Sequence, residues 1–169
     1  SMPRTSQINV LVYEEMFKKH LDQGKDVFYF ACSSAISGTI NSARIASDML
    51  KDQYLDRKIY ILDTIISGSG LGMVIKEGIK MMFEDNMSPE QYLEWFEANK
   101  HRYHMVGSVD DCQYLARNGR ISGAAAFFTK IFSIKPVVIK NRRGMNQSIA
   151  KIKGRRKSID WCIDYVKEN

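Results

Sequence analysis

No stretch of this 169-residue chain approaches the roughly 20 consecutive apolar residues that a helix needs to cross a bilayer. Its first residues also lack the basic region and apolar segment of a secretory signal, so a cytoplasmic location is expected. Cysteine is scarce. Cys32, Cys112 and Cys162 are widely separated and never form a C-x-x-C pair, which argues against a disulfide framework or zinc knuckle and predicts reduced, buried thiols. There is no G-x-S-x-G, no H-E-x-x-H and no Walker lysine, so the common nucleophile, zinc and nucleoside-triphosphate sites lack their residues. His101 and His104 stand three apart, as metal ligands can, but no further His, Cys or carboxylate cluster joins them; surface histidines and no metal site are expected. A non-catalytic protein that needs no cofactor is the consequence.

What the chain does contain is the raw material of a globular α/β protein: 44% hydrophobic and 26% charged residues. Charge is unevenly placed. Residues 1–100 carry 11 Lys and Arg against 14 Asp and Glu, whereas residues 101–169 carry 14 against 5. A basic half suits nucleic acid, a membrane surface or an acidic protein partner. Within it, residues 151–157 with Arg142 and Arg143 form a basic cluster that no base-stacking aromatics interleave, so a solvated or protein-docking face is expected and nucleic acid is not.

Periodicity orders the elements. Tyr13, Met16, Phe17, His20 and Leu21 recur at helical spacing, Gly24 stops that helix, and residues 27–31 form a continuous apolar run that reads as a buried strand. Ile40, Ala43, Ala46 and Leu50 line a second helix before the buried strand 59–62, and Leu71, Val74, Ile75, Gly78, Ile79 and Met82 line a third. Ser88-Pro89-Glu90-Gln91 reads as a capping box with proline at the first helical position. The expected fold is therefore α/β, a parallel sheet flanked by helices over residues 1–100. A smaller α/β unit over 101–169 follows, an incomplete and basic second domain. In it, residues 105–109 predict a strand, a short helix ends at Asn118-Gly119, and residues 124–132 predict an apolar helix. Strands at 134–139 and 145–152, joined by Asn141-Arg142-Arg143-Gly144, predict a β-hairpin, and Ile159, Cys162, Ile163 and Val166 a last amphipathic helix.

Two loops carry the chemistry. Ser33-Ser34-Ala35-Ile36-Ser37-Gly38-Thr39 lies between a buried strand and a helix start, the carboxyl end of a parallel strand, where ligands bind in open α/β sheets. Hydroxyls and helix N-terminal amides suit an anion, and the absence of Lys or Arg favours a carboxylate over a multiply charged phosphate. The alternative is ordinary helix capping by Ser37 or Thr39. Ser67-Gly68-Ser69-Gly70-Leu71-Gly72 is the second loop; it imitates a dinucleotide fingerprint, but Met73 occupies the third glycine's place and no ribose-binding acid follows. A glycine turn that lets the backbone approach a neighbouring loop or the ligand is the preferred reading, against plain turn geometry; for the protein as a whole the alternatives are a nucleotide- or phosphate-dependent enzyme domain using residues 67–72 and a nucleic-acid-binding regulator using the basic half. Thr5-Ser6-Gln7, just ahead of the first helix, reads by itself as a helix cap.

Taken in order, Thr5-Ser6-Gln7, Ser33-Ser34-x-x-Ser37-Gly38-Thr39, the loop 62–72 opening Leu62-Asp63-Thr64, Gly119-Arg120-Ile121-Ser122 and Ile134-Lys135-Pro136 resemble the DegV family of fatty-acid-binding proteins. The chain is similar to the middle of that family, without its N-terminal strand and Asp-Ser motif or its C-terminal histidine and glycine segment. The resemblance implies two α/β domains with a long-chain fatty acid between them as the bound ligand. Its carboxylate would be held by Thr5 and Ser34, with Ser6, Ser33 and Ser37 as near substitutes in a site completed by Gly38 and Thr39. It also implies presentation of the acid to an ATP-dependent fatty acid kinase that makes the acyl phosphate, with Arg120 and the basic half as docking candidates. Ala124, Phe127, Phe128, Ile131 and Phe132 are candidates for lining the acyl tail or for plain core.

Overall fold

The computed structural model describes residues 5–110, 113–121 and 134–169. The chain divides into two compact units, Ser6–Tyr103 and His104–Asn169, with Thr5 grouped with the latter. The predicted helix 124–132 lies outside the described residues, as do Cys112 and Ser122. Among the described residues no helix is long and apolar enough to cross a membrane.

In the unit Ser6–Tyr103, β1 (Val27–Ala31) and β2 (Ile59–Asp63) pair in parallel, Val27 opposite Ile59 and Ala31 opposite Asp63. Alternation along each strand gives the pair two apolar faces, so helices cover both. On one face Tyr13, Phe17 and Leu21 of α1 (Val10–Leu21) and Ala43, Ala46 and Leu50 of α2 (Thr39–Leu50) form the core, against Val27, Tyr29, Ile59 and Ile61. The Tyr13 and Tyr29 hydroxyls meet at 2.6 Å, which satisfies both polar tips inside that core.

The other face presents Phe28 and Phe30 to Tyr92 of α4 (Pro89–Asn99). Phe28 also stacks on Tyr60. Here α3 (Gly68–Phe83) must come close: a Cβ on Gly78 would lie 2.8 Å from the Tyr92 ring and 2.9 Å from Phe30. Burial, with Glu77 nearby, pushes the Tyr92 phenol up to about 12. The capping box forms as read: Ser88 Oγ accepts from Gln91 N at 3.2 Å, and Gln91 Oε1 accepts from Ser88 N at 2.8 Å. The start of α1 differs from the expectation. Its cap is Asn9, whose Oδ1 accepts from Leu11 N at 2.9 Å, and not Thr5, Ser6 or Gln7.

In the unit His104–Asn169, β3 (Val106–Ser108), β4 (Ile134–Lys140) and β5 (Asn146–Lys153) form an antiparallel sheet in that order. The hairpin turn between β4 and β5 is built by Asn141, whose Oδ1 accepts from Arg143 N and Met145 N, and by Gly144 at φ 77°. Pro136 sits in the central strand without breaking the ladder because β3 pairs only from Val137 onward, and its carbonyl accepts from Val109 N at 3.0 Å. The short α5 (Gln113–Arg117) leads to Gly119 at φ 68°. The last helix, α6 (Arg155–Glu168), is tied to β3 through Ser158 Oγ and Ser108 Oγ, 2.7 Å apart. Cys32 and Cys162 form no disulfide among the described residues, and both are half-buried, Cys162 on a face of α6 beside the exposed Ile159 and Val166.

Candidate functional site

The buried strand β1 ends at Ala31, and the chain must then turn through residues 32–38 to start α2, leaving backbone donors to be satisfied. Ser33, fully buried, does most of this: its N–H donates to Ile66 O at 2.9 Å, its Oγ accepts from Ala35 N at 3.3 Å, and its carbonyl accepts from Ile36 N and Ser37 N. Ser37 Oγ accepts from Thr39 N at 3.3 Å and donates to Thr39 Oγ1 at 2.8 Å. Ordinary capping by Ser37 or Thr39 is not what forms: the N-cap of α2 is Gly38, with no side-chain capping bond, and the Ser37 hydroxyl bonds to Thr39 from one residue further out. Ser34 is different. It is exposed, its N–H donates to Asp63 Oδ1 at 3.2 Å, and its hydroxyl has no hydrogen-bond partner among the described residues.

The loop after β2 locks onto the first. Thr64, fully buried, donates from Oγ1 to Ala31 O at 2.7 Å, and Asp63 Oδ1 accepts from Ile65 N at 3.1 Å as well as from Ser34 N. Ile65 is held at φ 52°, a left-handed conformation that is a true outlier for a β-branched residue. Gly70 is explained by sterics: a Cβ there would lie 2.5 Å from Ile66 Cδ1, and Ile66 is buried. Ser67, at the N-cap of α3, makes no side-chain capping bond. The approach to the neighbouring loop is made by Ile66, whose carbonyl accepts from Ser33 N, and not by the glycine run: Ser67 is the N-cap of α3 and residues 68–72 already belong to that helix, where the sequence predicts a turn. Across residues 32–39 and 63–72 the sequence has one charged residue, Asp63.

Gln7 reaches the same place from before α1. Its Nε2 donates to Ser42 Oγ at 2.7 Å, and its Oε1 occupies the space a Cβ on Gly38 would need, 2.5 Å away. A side chain at position 38 would require the exposed Gln7 amide to shift from this contact. Ser6 and Thr5 are exposed, with no hydrogen-bond partner among the described residues. The structure thus brings Ser33, Ser34, Ser37, Gly38 and Thr39 into one loop with Gln7 against it, while Thr5 groups with the other unit. Arg120, half-buried, lies in that other unit; its carbonyl accepts from Asn146 Nδ2 at 2.7 Å and its guanidinium donates to Asn118 O. His101 and His104 are exposed, and among the described residues no group of three or more His, Cys, Asp or Glu is placed to hold a metal ion. Gln7, Asp63 and Thr64 belong to the motifs quoted above, but nothing in the sequence assigns them the cross-loop bonds they make here.

What this arrangement offers is one exposed, uncommitted hydroxyl, that of Ser34, at the carboxyl end of a parallel strand pair, the end at which ligands bind in open α/β sheets. Known proteins share the frame. The DegV family model, described as "Uncharacterised protein, DegV family", matches residues 1–169. A DegV domain-containing protein of Clostridium perfringens is 39% identical over 167 residues, covering 99% of this chain and 57% of the relative. The chain thus spans well under two thirds of that relative's length. Among solved structures, a Thermus thermophilus DegV family protein described for fatty acid binding is 27% identical with a TM-score of 0.81, covering 99% of this chain and 57% of that one. The Streptococcus pneumoniae Fatty Acid Kinase (Fak) B3 protein, loaded with linoleic acid, has a TM-score of 0.84 at 20% identity, covering 96% of this chain and 56% of that one. With a family match along its entire length and these relatives sharing its fold, the chain belongs to the DegV family.

Proposed function

We propose that the protein binds a long-chain fatty acid through its carboxylate and presents it to a fatty acid kinase, which forms the acyl phosphate. The observation that carries the reading is the pinned Ser33-Ser34 segment: its backbone donors are occupied by Ile66 and Asp63, and the exposed Ser34 hydroxyl is left for a ligand. By the family motif, Thr5 would supply the second hydroxyl, with Ser6, Ser33 and Ser37 as near substitutes, and Gly38 and Thr39 complete the loop. Fatty acids named with the solved relatives support the choice of ligand. The kinase partnership rests on the family motifs and on the name of the pneumococcal neighbour, with Arg120 and the basic residues of 101–169 as the docking face. Residues 1–100 would then supply the head-group loops and 101–169 part of a second domain.

The energetics are consistent with neutral donors. Burying roughly 15 methylenes at about 0.8 kcal/mol each gives on the order of 12 kcal/mol gross, so the tail supplies affinity and the hydroxyls supply orientation. No covalent step falls to this protein and no cofactor is required. It works in the cytoplasm, where its thiols stay reduced.

Mass spectrometry of the gently purified protein, native and then denaturing, tests the reading. A stoichiometric single-chain acid is expected, and it should be lost from the Thr5→Ala, Ser34→Ala double variant. Retention of the acid by that folded variant would overturn the head-group assignment; a folded wild-type protein that takes up no fatty acid would overturn the function.

A further inference from the structure

We infer that Asp63 is a positioning residue for the ligand's head group, acting through Ser34. The inference rests on the fatty-acid reading above and extends it to a residue that need not touch the ligand. Its Oδ1 is shared between two loops, accepting from Ser34 N at 3.2 Å and from Ile65 N at 3.1 Å. With Ser33 N held by Ile66 O at 2.9 Å, both amides of the Ser33-Ser34 pair are fixed by the loop after β2. A pinned backbone aims a side chain that has one rotatable bond to its oxygen, so the Ser34 hydroxyl is placed before any ligand arrives.

A plain turn does not account for this residue. An Asx-type turn to Ile65 needs one bond and no partner 29 residues away, and here it is made at the cost of holding a β-branched residue at φ 52°. Nor does charge account for it. Neither loop contains Lys or Arg, so a fixed carboxylate beside a site for an anion opposes binding, and the residue's use must lie in what its oxygen holds. Geometry and charge then pull in opposite directions, which gives the proposal a sign to test.

Binding of palmitate is measured in the full 169-residue chain and in Asp63→Ala, Asp63→Asn, Ser34→Ala and the Asp63→Ala, Ser34→Ala pair. Asp63→Ala should weaken palmitate about tenfold, the effect of one lost charge-assisted hydrogen bond. Asp63→Asn keeps an acceptor oxygen and removes the opposing charge, so it should bind as well as wild type or more tightly. In the Ser34→Ala background Asp63→Ala should add nothing, because its effect passes through that hydroxyl. Additive losses, or Asp63→Asn weakening as much as Asp63→Ala, overturn the proposal. Amide hydrogen exchange of the unliganded wild-type protein gives a check that needs no variant to fold. The Ser34 amide should already be protected; protection that appears only with palmitate would mean that Asp63 does not preorganise the site. If wild type binds no palmitate while its Ser34 amide is protected, the fatty-acid reading fails and this one falls with it, a result distinct from the loss of coupling.

Discussion

The loop after β1 and the loop after β2 are made of the same ingredients, small hydroxyl residues and glycines between a buried strand and a helix, yet they divide the work. Residues 32–38 present one residue outward: Ser34 is exposed with an uncommitted hydroxyl, and the internal bonds of Ser33 and Ser37 serve to hold that shape. Residues 63–66 support the first loop from within, while Gly68, Ser69 and Gly72 beyond them are exposed. Thr64, Ile66 and Gly70 are buried, and Asp63, Thr64 and Ile66 all bond to the chain at or just beyond the end of β1. Composition alone does not separate a presenting loop from a supporting one; the direction of the hydrogen bonds does.

The supporting role is easiest to break at Gly70. A valine there places Cβ and two methyls against Ile66, whose side chain is 1% exposed and whose carbonyl holds Ser33 N. Gly70→Val should therefore cost about 2–3 kcal/mol, the range for overpacking a filled interior, read as a lower urea midpoint at unchanged slope. Stability equal to wild type would show that the loops do not clamp one another. Thr64→Val is a milder probe of the same clamp. It keeps the shape and removes the hydroxyl that donates to Ala31 O, for an expected loss of about 1–2 kcal/mol by the same measurement.

Much of this was legible in the chain, and the boundary is physical. Local periodicity located the strands β1 and β2 and the helices around them, because the 2-residue and 3.6-residue repeats are properties of contiguous segments. The Ser88 capping box and the Asn141 to Gly144 turn were legible for the same reason: each is closed by bonds within five residues. What stayed hidden is nonlocal. Asp63 reads as a polar residue at a strand end, and its bond to Ser34 spans 29 positions; Gln7 reaches Ser42 across 35. Thr5-Ser6-Gln7, which by itself reads as a helix cap, does not cap α1 because only Asn9 directly precedes the first helical turn.

Gly72 sharpens the contrast from the other side. It lies in α3 beside Gly70, but a Cβ there meets nothing within 4 Å. Gly72→Ala should stabilise the protein by about 0.5 kcal/mol through helix propensity and a less flexible unfolded chain. If the glycine run instead cradled a ligand backbone-first, as in a dinucleotide site, the added methyl would weaken binding while raising stability. For the fatty-acid reading, palmitate affinity should not change.

Ser34→Ala should have the smallest effect on folding of all, within about 0.5 kcal/mol of wild type, the usual range for an exposed substitution that removes no structural bond. The residue keeps its amide and therefore its tie to Asp63, and its hydroxyl makes no bond among the described residues. Ser33→Ala, one position earlier, removes a fully buried hydroxyl that accepts from Ala35 N, and should cost about 1 kcal/mol. Denaturation curves of the two variants, run side by side with ligand removed, separate a hydroxyl kept for the fold from one kept for something else. A Ser34→Ala loss as large as that of Ser33→Ala would place Ser34 in the supporting group with Thr64, and the presenting loop would have lost its presented residue.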